Sequence, residues 1–281
     1  MKINEQTLFE TLQATPEGRA KLLQLAKSLD NPSYDDFLES LYEKINEIII
    51  KIECARDKYF SHDEDAITNV IAGRLEEAGY IATEQTKQNG AVDLTVSLNE
   101  HKWIAEAKIA YSNSKILEGL LQLLTRYVTR DENAGLLIYI KKANSQTVFE
   151  DWVKYLCSDS SLKSYILNKN PEVREDMECV LNNIETEKLN VKGMSVNTKH
   201  KLVSGSSIKI QHFSAHLYFN PTDVSGNNAK QQRKDNALNN LANIYFEQLE
   251  SNTPFDSVKC LDYLERLFRD LDPDDFQSNP T

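Results

Sequence analysis

One uninterrupted apolar segment constrains the fold more than any other stretch of this chain. Residues 134–140 have the sequence Ala-Gly-Leu-Leu-Ile-Tyr-Ile, and residues typical of turns bound the segment. A continuous apolar run between turn signals is typical of a strand that is buried on both faces. Burial of both faces requires helices on each side of the sheet, so the segment predicts an α/β fold. Lys141 and Lys142 follow directly and are predicted to lie at the sheet rim.

A second segment predicts a hairpin that carries charge inside apolar strands. The only charged residues in 91–96 and 103–109 are Asp93, Glu106 and Lys108, and a polar turn separates the two strands. Side chains alternate between the faces of a strand, so Glu106 and Lys108 point to one face, with Asp93 within reach across the hairpin. Buried charge is costly unless it is paired or coordinates a metal ion. The trio is therefore predicted to be functional; the alternative is a cross-strand salt bridge at a sheet edge.

The residue types of the trio suit the hydrolysis of phosphodiesters. Two carboxylates from neighbouring strands can hold Mg²⁺, which prefers oxygen ligands and keeps several of its waters. Such an ion lowers the pKa of a bound water and neutralises charge in the transition state. A lysine beside it can contact the scissile phosphate or orient the attacking water as a point charge.

The motif formed by Asp93, twelve intervening residues and Glu106-Ala107-Lys108 resembles the core of the PD-(D/E)XK nuclease superfamily. The predicted elements of residues 61–157 follow that family's order of helix, three strands, helix, strand and helix. The resemblance implies a restriction-endonuclease-like mixed sheet flanked by helices. It also implies that Asp93, Glu106 and the backbone carbonyl of Ala107 bind Mg²⁺, with Mn²⁺ as a substitute, and that Lys108 serves the attacking water.

A glutamate on the first helix of the core is a further candidate through the same resemblance. Members of the family often contribute a first-helix glutamate to the metal site, and Glu64 matches that position best, with Asp63 as the alternative. The sequence also offers a purely structural role. Ser61 is a good N-cap and Glu64 follows three residues later, which is the pattern of a capping box.

The predicted helix over residues 115–127 carries the last candidate. Gln122 resembles the glutamine of the Gln-x-x-x-Tyr pair that RecB-like members carry on this helix, and it is predicted to be catalytic. Tyr127 departs by one residue from that spacing, so its role stays open. The alternative is a solvated glutamine and a core tyrosine. Gly119 is predicted to let the helix approach the strands closely.

The charge of the chain is acidic overall but unevenly distributed. The net charge of −11 argues against a non-specific coat for nucleic acid but leaves local contacts open. Residues 188–234 carry eight lysines and arginines and one acid, and the stretch 256–275 has an excess of acids. The basic segment is a candidate nucleic-acid contact, and the alternative is an extension of the sheet. Within it, His212 and His216 are too far apart on one strand to share a metal ion, so we expect them to form hydrogen bonds in a packed hairpin.

These patterns predict three parts. Residues 1–58 form an N-terminal helical arm for packing or homo-oligomerisation, with regulation as the alternative, and 59–157 form the nuclease core. Residues 158–281 form an α+β elaboration with the basic hairpin and an acidic C-terminal tail. The four cysteines lack paired spacing, which favours a reducing compartment, and no apolar stretch is long enough to span a membrane. We therefore expect a soluble, cytoplasmic protein without a membrane partner.

The sequence as a whole favours a metal-dependent endonuclease that hydrolyses DNA. Through the resemblance, a bacterial or phage-related role in defence or restriction is expected, with control by a regulatory partner. One alternative is a catalytically silent nuclease fold that binds nucleic acid or serves assembly. Another is a nuclease that acts on RNA, since nothing in the sequence discriminates the 2′-hydroxyl group. Motifs of ATPases and of serine or zinc hydrolases do not occur.

Overall fold

The structure is a computed structural model that describes residues 5–30, 32–87, 91–182, 184–186, 194–220, 227–250 and 254–269. The chain divides into two compact units, Met1–Leu217 and Tyr218–Thr281. The predicted division at residues 58 and 157 stays a prediction, but elements from all three predicted parts lie within the first unit.

A seven-stranded mixed sheet, counted over the described residues, forms the centre of the first unit, with the order β1-β2-β3-β4-β7-β6-β5. Its strands are β1 (Ile81–Lys87), β2 (Ala91–Leu98), β3 (His101–Ile109), β4 (Asn133–Ile140), β5 (Glu185–Thr186), β6 (Ser195–Lys201) and β7 (Ser207–His216). Strand β4 runs parallel to both of its neighbours, β3 and β7, and the other neighbouring pairs are antiparallel. Every residue from 134 to 140 is buried, which confirms the predicted central strand.

Helices pack against both faces of this sheet. The helices of the first unit are α1 (Glu5–Ala14), α2 (Pro16–Asp30), α3 (Tyr34–Cys54), α4 (Arg56–Tyr59), α5 (Glu64–Glu77), α6 (Asn113–Gln122), α7 (Ser145–Leu156), α8 (Asp159–Leu167) and α9 (Pro171–Leu181). One apolar core joins α3 and α5 to the sheet, and a second joins α6, α7, α8 and α9 to it. The predicted α/β class, a mixed sheet flanked by helices, is therefore confirmed.

The start of α5 differs from the prediction in a way that matters for Glu64. The N-cap is Asp63, whose carboxylate accepts a hydrogen bond from the N–H of Ala66 at 2.9 Å, so the predicted N-cap Ser61 is wrong. A carboxylate at this position satisfies a free N–H group and also interacts favourably with the helix dipole. Glu64 becomes the first residue of the helix, and its side chain has no capping role.

The basic hairpin of β6 and β7 is part of the sheet, because β7 pairs with β4. This matches the alternative of a sheet extension, and the nucleic-acid contact stays a prediction. His212 is fully buried and accepts a hydrogen bond from Trp152 Nε1 at 3.3 Å, while its Nε2 lies 2.7 Å from Thr198 Oγ1. Nδ1 of His216 has no hydrogen-bond partner among the described residues. The prediction of hydrogen-bonded histidines is confirmed for His212.

The second unit contains α10 (Asn227–Glu250) and α11 (Ser257–Phe268), which pack against each other. None of the helices in the described part of the chain has the length and apolar character that crossing a membrane requires.

Candidate active site

The three charged residues of the hairpin converge on one face of the sheet. Nζ of Lys108 lies 2.7 Å from Oε1 of Glu106 and 3.9 Å from Oδ2 of Asp93. The register explains this arrangement: Leu94 lies opposite Ala105, so the next step along the hairpin brings Asp93 opposite Glu106. The predicted convergence of the trio is what the structure shows.

Asp93 is held in place by the backbone of the opposite strand. Its Oδ2 accepts a hydrogen bond from the N–H of Ala107 at 2.8 Å. This bond fixes the carboxylate beside the other members of the site. The predicted role of the Ala107 carbonyl as a metal ligand stays a prediction.

Glu64 is the fourth member of the site. Its Oε1 accepts a hydrogen bond from Lys108 Nζ at 3.1 Å, and its Oε2 accepts one from the N–H of Ile109 at 2.8 Å. The first residue of α5 is thus tied both to the backbone of β3 and to the lysine. The alternative residue, Asp63, uses its carboxylate as the N-cap instead.

Burial perturbs the ionisation of all four groups. Burial, reinforced by the negative charge of Asp93, raises the pKa of Glu106 to about 8, although Lys108 opposes the shift. Burial likewise raises the pKa of Asp93 and of Glu64 above the ordinary values. For Lys108, burial lowers the pKa but the neighbouring carboxylates outweigh it, so the net shift is upward and the side chain is a cation at neutral pH.

One oxygen of Glu106 is left unsatisfied. The residue is 2% exposed, and its buried Oε2 has no hydrogen-bond partner among the described residues. A buried polar atom without a partner costs about 1–3 kcal/mol, so it indicates a place where a proton, a water or an ion binds. Carboxylate oxygens are also the donors that Mg²⁺ prefers.

The donor set therefore fits Mg²⁺ in its chemistry, but in this structure the three carboxylates are arranged around the ammonium of Lys108. Within the described ranges, no group of three or more His, Cys, Asp or Glu side chains is placed so that it could hold a metal ion. The ammonium of Lys108 lies among the three carboxylates at 2.7, 3.1 and 3.9 Å.

Helix α6 covers the aliphatic part of Lys108. A Cβ atom added at Gly119 would lie 2.5 Å from Cγ of Lys108 and 3.0 Å from its Cε. Real Cβ contacts do not become this short, so only glycine leaves room for the lysine stem at this point. The predicted close approach of α6 to the strands is confirmed. The space left by the missing side chain of Gly119 is occupied by the stem of Lys108.

The helix does not continue as an α-helix to residue 127. Gln122 is the last residue of α6, and a π-helical turn spans Leu123–Tyr127, with the N–H of Val128 donating to the carbonyl of Leu123. A π turn contains one residue more than an α turn, which changes the angular position of Tyr127 relative to Gln122 on the helix. Burial, reinforced by the negative charges of Glu106 and Asp93, raises the pKa of Tyr127.

Gln122 itself is half-buried. Within the described part of the chain, no hydrogen bond or ion pair joins its side chain to the hairpin trio, so its catalytic role stays a prediction.

Two residues that support the site were not identified from the sequence. Thr68 Oγ1 donates to the carbonyl of Glu64 at 2.9 Å and lies 2.9 Å from the hydroxyl of Tyr139, which therefore donates to it. These two hydrogen bonds connect the first turn of α5 to the central strand β4. The available signal is weak: Thr68 and Tyr139 are hydroxyl residues in otherwise apolar stripes.

The two lysines after β4 fix loops at the edge of the site. Lys141 donates to the carbonyl of His62, just before α5, and Lys142 donates to the carbonyl of Tyr111 at 2.6 Å. Lys141 is buried rather than extended into solvent.

Comparison with known proteins adds no further assignment to this geometry. No family model, no curated protein and no solved structure matches the chain. The site is therefore defined by its own contacts: three carboxylates from α5, β2 and β3 around one ammonium group.

Proposed function

We propose that this protein is a metal-dependent endonuclease of the PD-(D/E)XK type that hydrolyses phosphodiester bonds in DNA. The observation that carries the proposal is the convergence of Glu64, Asp93 and Glu106 on Lys108 at one end of the sheet. The order of elements from α5 to α7, which is helix, three strands, helix, strand and helix, supports it.

The charge balance of the site argues against a purely structural salt bridge. Three carboxylates share one ammonium, so the ionised cluster carries a net negative charge in a largely buried place. Buried ions are tolerated when their charge is compensated, and breaking that balance is costly. Burial is the main cause of the raised pKa of Glu106, and the negative charges of Asp93 and Glu64 add to it. A site of this kind is suited to bind a cation of higher charge than the ammonium of Lys108.

Asp93, Glu106 and the carbonyl of Ala107 would hold Mg²⁺, or Mn²⁺ in its place, with Glu64 as an additional ligand. The ion supplies a more acidic water and neutralises charge on the phosphate. Lys108 contributes a cation that contacts the scissile phosphate or orients the attacking water. The N–H of Ala107 holds Asp93 in position for this chemistry. Cleavage is proposed to leave 5′-phosphate ends.

The proposal is tested on supercoiled plasmid with the full-length protein. With Mg²⁺ or Mn²⁺ we expect conversion to nicked and linear forms, and EDTA should prevent it. Asp93→Asn and Lys108→Met should each reduce the rate by at least about a hundredfold, the scale for removal of one group that stabilises a transition state.

Lys115→Met is the matched control, because Lys115 is a partly exposed lysine that pairs with Glu118 on α6. It should cleave like the wild type. Intact plasmid with both metal ions, together with intact RNA in a parallel assay, would refute a nuclease function. Cleavage of RNA alone would keep the reaction and change the substrate.

A catalytically silent scaffold that binds nucleic acid is the second candidate. The observation that favours it is the closed arrangement, in which none of the described side-chain groups is placed to hold a metal ion. Binding of DNA with equal affinity in Mg²⁺ and in EDTA, without cleavage, would select this function.

A further inference from the structure

The ammonium of Lys108 is placed where a bound cation would interact with the most negative charge. It contacts carboxylates from three separate elements, with Nζ–O distances of 2.7 Å to Glu106, 3.1 Å to Glu64 and 3.9 Å to Asp93. The unsatisfied Oε2 of Glu106 belongs to the same cluster and is buried. The lysine thus supplies one positive charge to a cluster of three carboxylates.

Gly119 of α6 lies against the stem of Lys108, and any other residue at position 119 would force neighbouring atoms to move. The atom that a Cβ at Gly119 would meet first is Cγ of Lys108, at 2.5 Å. Cγ lies near the backbone of β3, so it cannot move away as the far end of a flexible side chain can. An alanine at position 119 would therefore displace the whole stem and draw the ammonium out of the cluster.

The side chain of Lys108 also has a route to solvent, because it is 17% exposed. An ammonium and a divalent cation among the same three carboxylates would repel each other strongly at these distances. The two cations are therefore alternatives for one position.

We propose that Lys108 is the resident cation of the metal-free site and that it leaves this position when a divalent ion binds. Gly119 sets how strongly the ammonium competes with the divalent ion, because it holds the lysine stem. This inference rests on the proposed function, since it concerns the same metal site. It goes beyond that function because it makes metal affinity a property of the contact between α6 and β3.

The first test measures the binding of Mn²⁺ to the purified full chain. The concentration of free Mn²⁺ is determined from its electron paramagnetic resonance signal. Gly119→Ala should bind Mn²⁺ about tenfold more tightly, because the competing ammonium is withdrawn; tenfold corresponds to about 1.4 kcal/mol. Gly73→Ala on α5 is the matched control, since a Cβ there meets nothing within 4 Å, and its Mn²⁺ affinity should be that of the wild type.

A double substitution separates this role from simple packing. In a Lys108→Met background no ammonium is left to withdraw, so Gly119→Ala should not change Mn²⁺ affinity further. Equal affinities of Gly119→Ala and Gly73→Ala would overturn the proposal. So would an effect of Gly119→Ala that is as large without Lys108 as with it.

The second test uses the wild-type chain and requires no substitution to fold. Reductive methylation of lysines, quantified by peptide mass spectrometry, should label Lys108 several-fold faster with Mn²⁺ than with EDTA, whereas labelling of Lys115 should not change. Unchanged labelling of Lys108 at saturating Mn²⁺ would refute the exchange.

These readouts do not depend on cleavage. If Lys108 responds to Mn²⁺ but plasmid stays intact, the exchange holds and the nuclease proposal fails. If plasmid is cleaved while labelling and affinity are unaffected, the nuclease proposal holds and the exchange fails.

Discussion

Replacing Glu106 by glutamine should make the metal-free protein more stable, increasingly so as the pH rises. The carboxyl has its ordinary pKa of 4.5 in the unfolded chain and a pKa of about 8 in the folded protein. Between pH 4.5 and pH 8 the carboxyl of Glu106 is protonated in the folded protein but ionised in the unfolded chain. Folding then requires the uptake of a proton, so the free energy of unfolding of the wild type decreases as the pH rises from 4.5 towards 8. Glutamine is nearly isosteric and does not ionise, so it avoids this loss.

The size of the effect follows from the shift in pKa. Each unit corresponds to about 1.4 kcal/mol, so the gain for Glu106→Gln should reach on the order of 3 kcal/mol at pH 7. Above pH 8 it should level off near 5 kcal/mol, and below pH 4.5 it should be close to zero. The 2% exposure of Glu106 leaves little solvent screening to reduce these values.

The assay is urea unfolding in EDTA at a series of pH values, followed by the fluorescence of the buried Trp103 and Trp152. Glu118→Gln is the matched control, because Glu118 is a partly exposed glutamate paired with Lys115. Its free energy of unfolding should stay within about 0.5 kcal/mol of the wild type. A stability difference between Glu106→Gln and wild type that does not change between pH 5 and pH 9 would refute the argument.

Three further predictions concern the scaffold. Burial lowers the pKa of His200 to about 4 and of His212 to about 3, from 6.5, so their contribution to stability falls as the pH drops below 6.5. His212→Gln should make the slope of unfolding free energy against pH shallower by about 1.4 kcal/mol per unit between pH 4.5 and 6, and an unchanged slope would contradict this. Ser33→Ala removes the capping box of α3 and should cost about 1 kcal/mol in urea unfolding; a loss below 0.3 kcal/mol, within the error of the measurement, would argue against it. Gly79 has φ +88°, so Gly79→Ala should cost about 1–2 kcal/mol in thermal unfolding, and an equal Tm would show that the turn adapts.

The hairpin trio could be predicted from the sequence because its geometry is local. Two strands joined by a short turn must pair, and alternation then fixes which side chains share a face. Asp93, Glu106 and Lys108 met as expected for this reason. The membership of Glu64 depends instead on how α5 packs against β3, which no local pattern determines.

Other features of the site depend on small energy differences between similar local structures. The N-cap of α5 lies at Asp63 rather than Ser61, although both residues are good caps, because packing decides which turn begins the helix. The π turn after Gln122 has no distinct apolar periodicity of its own. The position of β7 beside β4 also required the whole fold, since about seventy residues separate the two strands in the chain.

The pairing of β7 with β4 limits how this protein can be dissected. A fragment that ends at residue 157 would retain every charged group of the candidate site but would strip β4 of one neighbour along eight paired positions. The exposed edge would be long, apolar and rich in unpaired N–H and C=O groups, which makes a strand prone to aggregation. A shortened chain that is meant to keep the candidate site should therefore extend at least to Leu217.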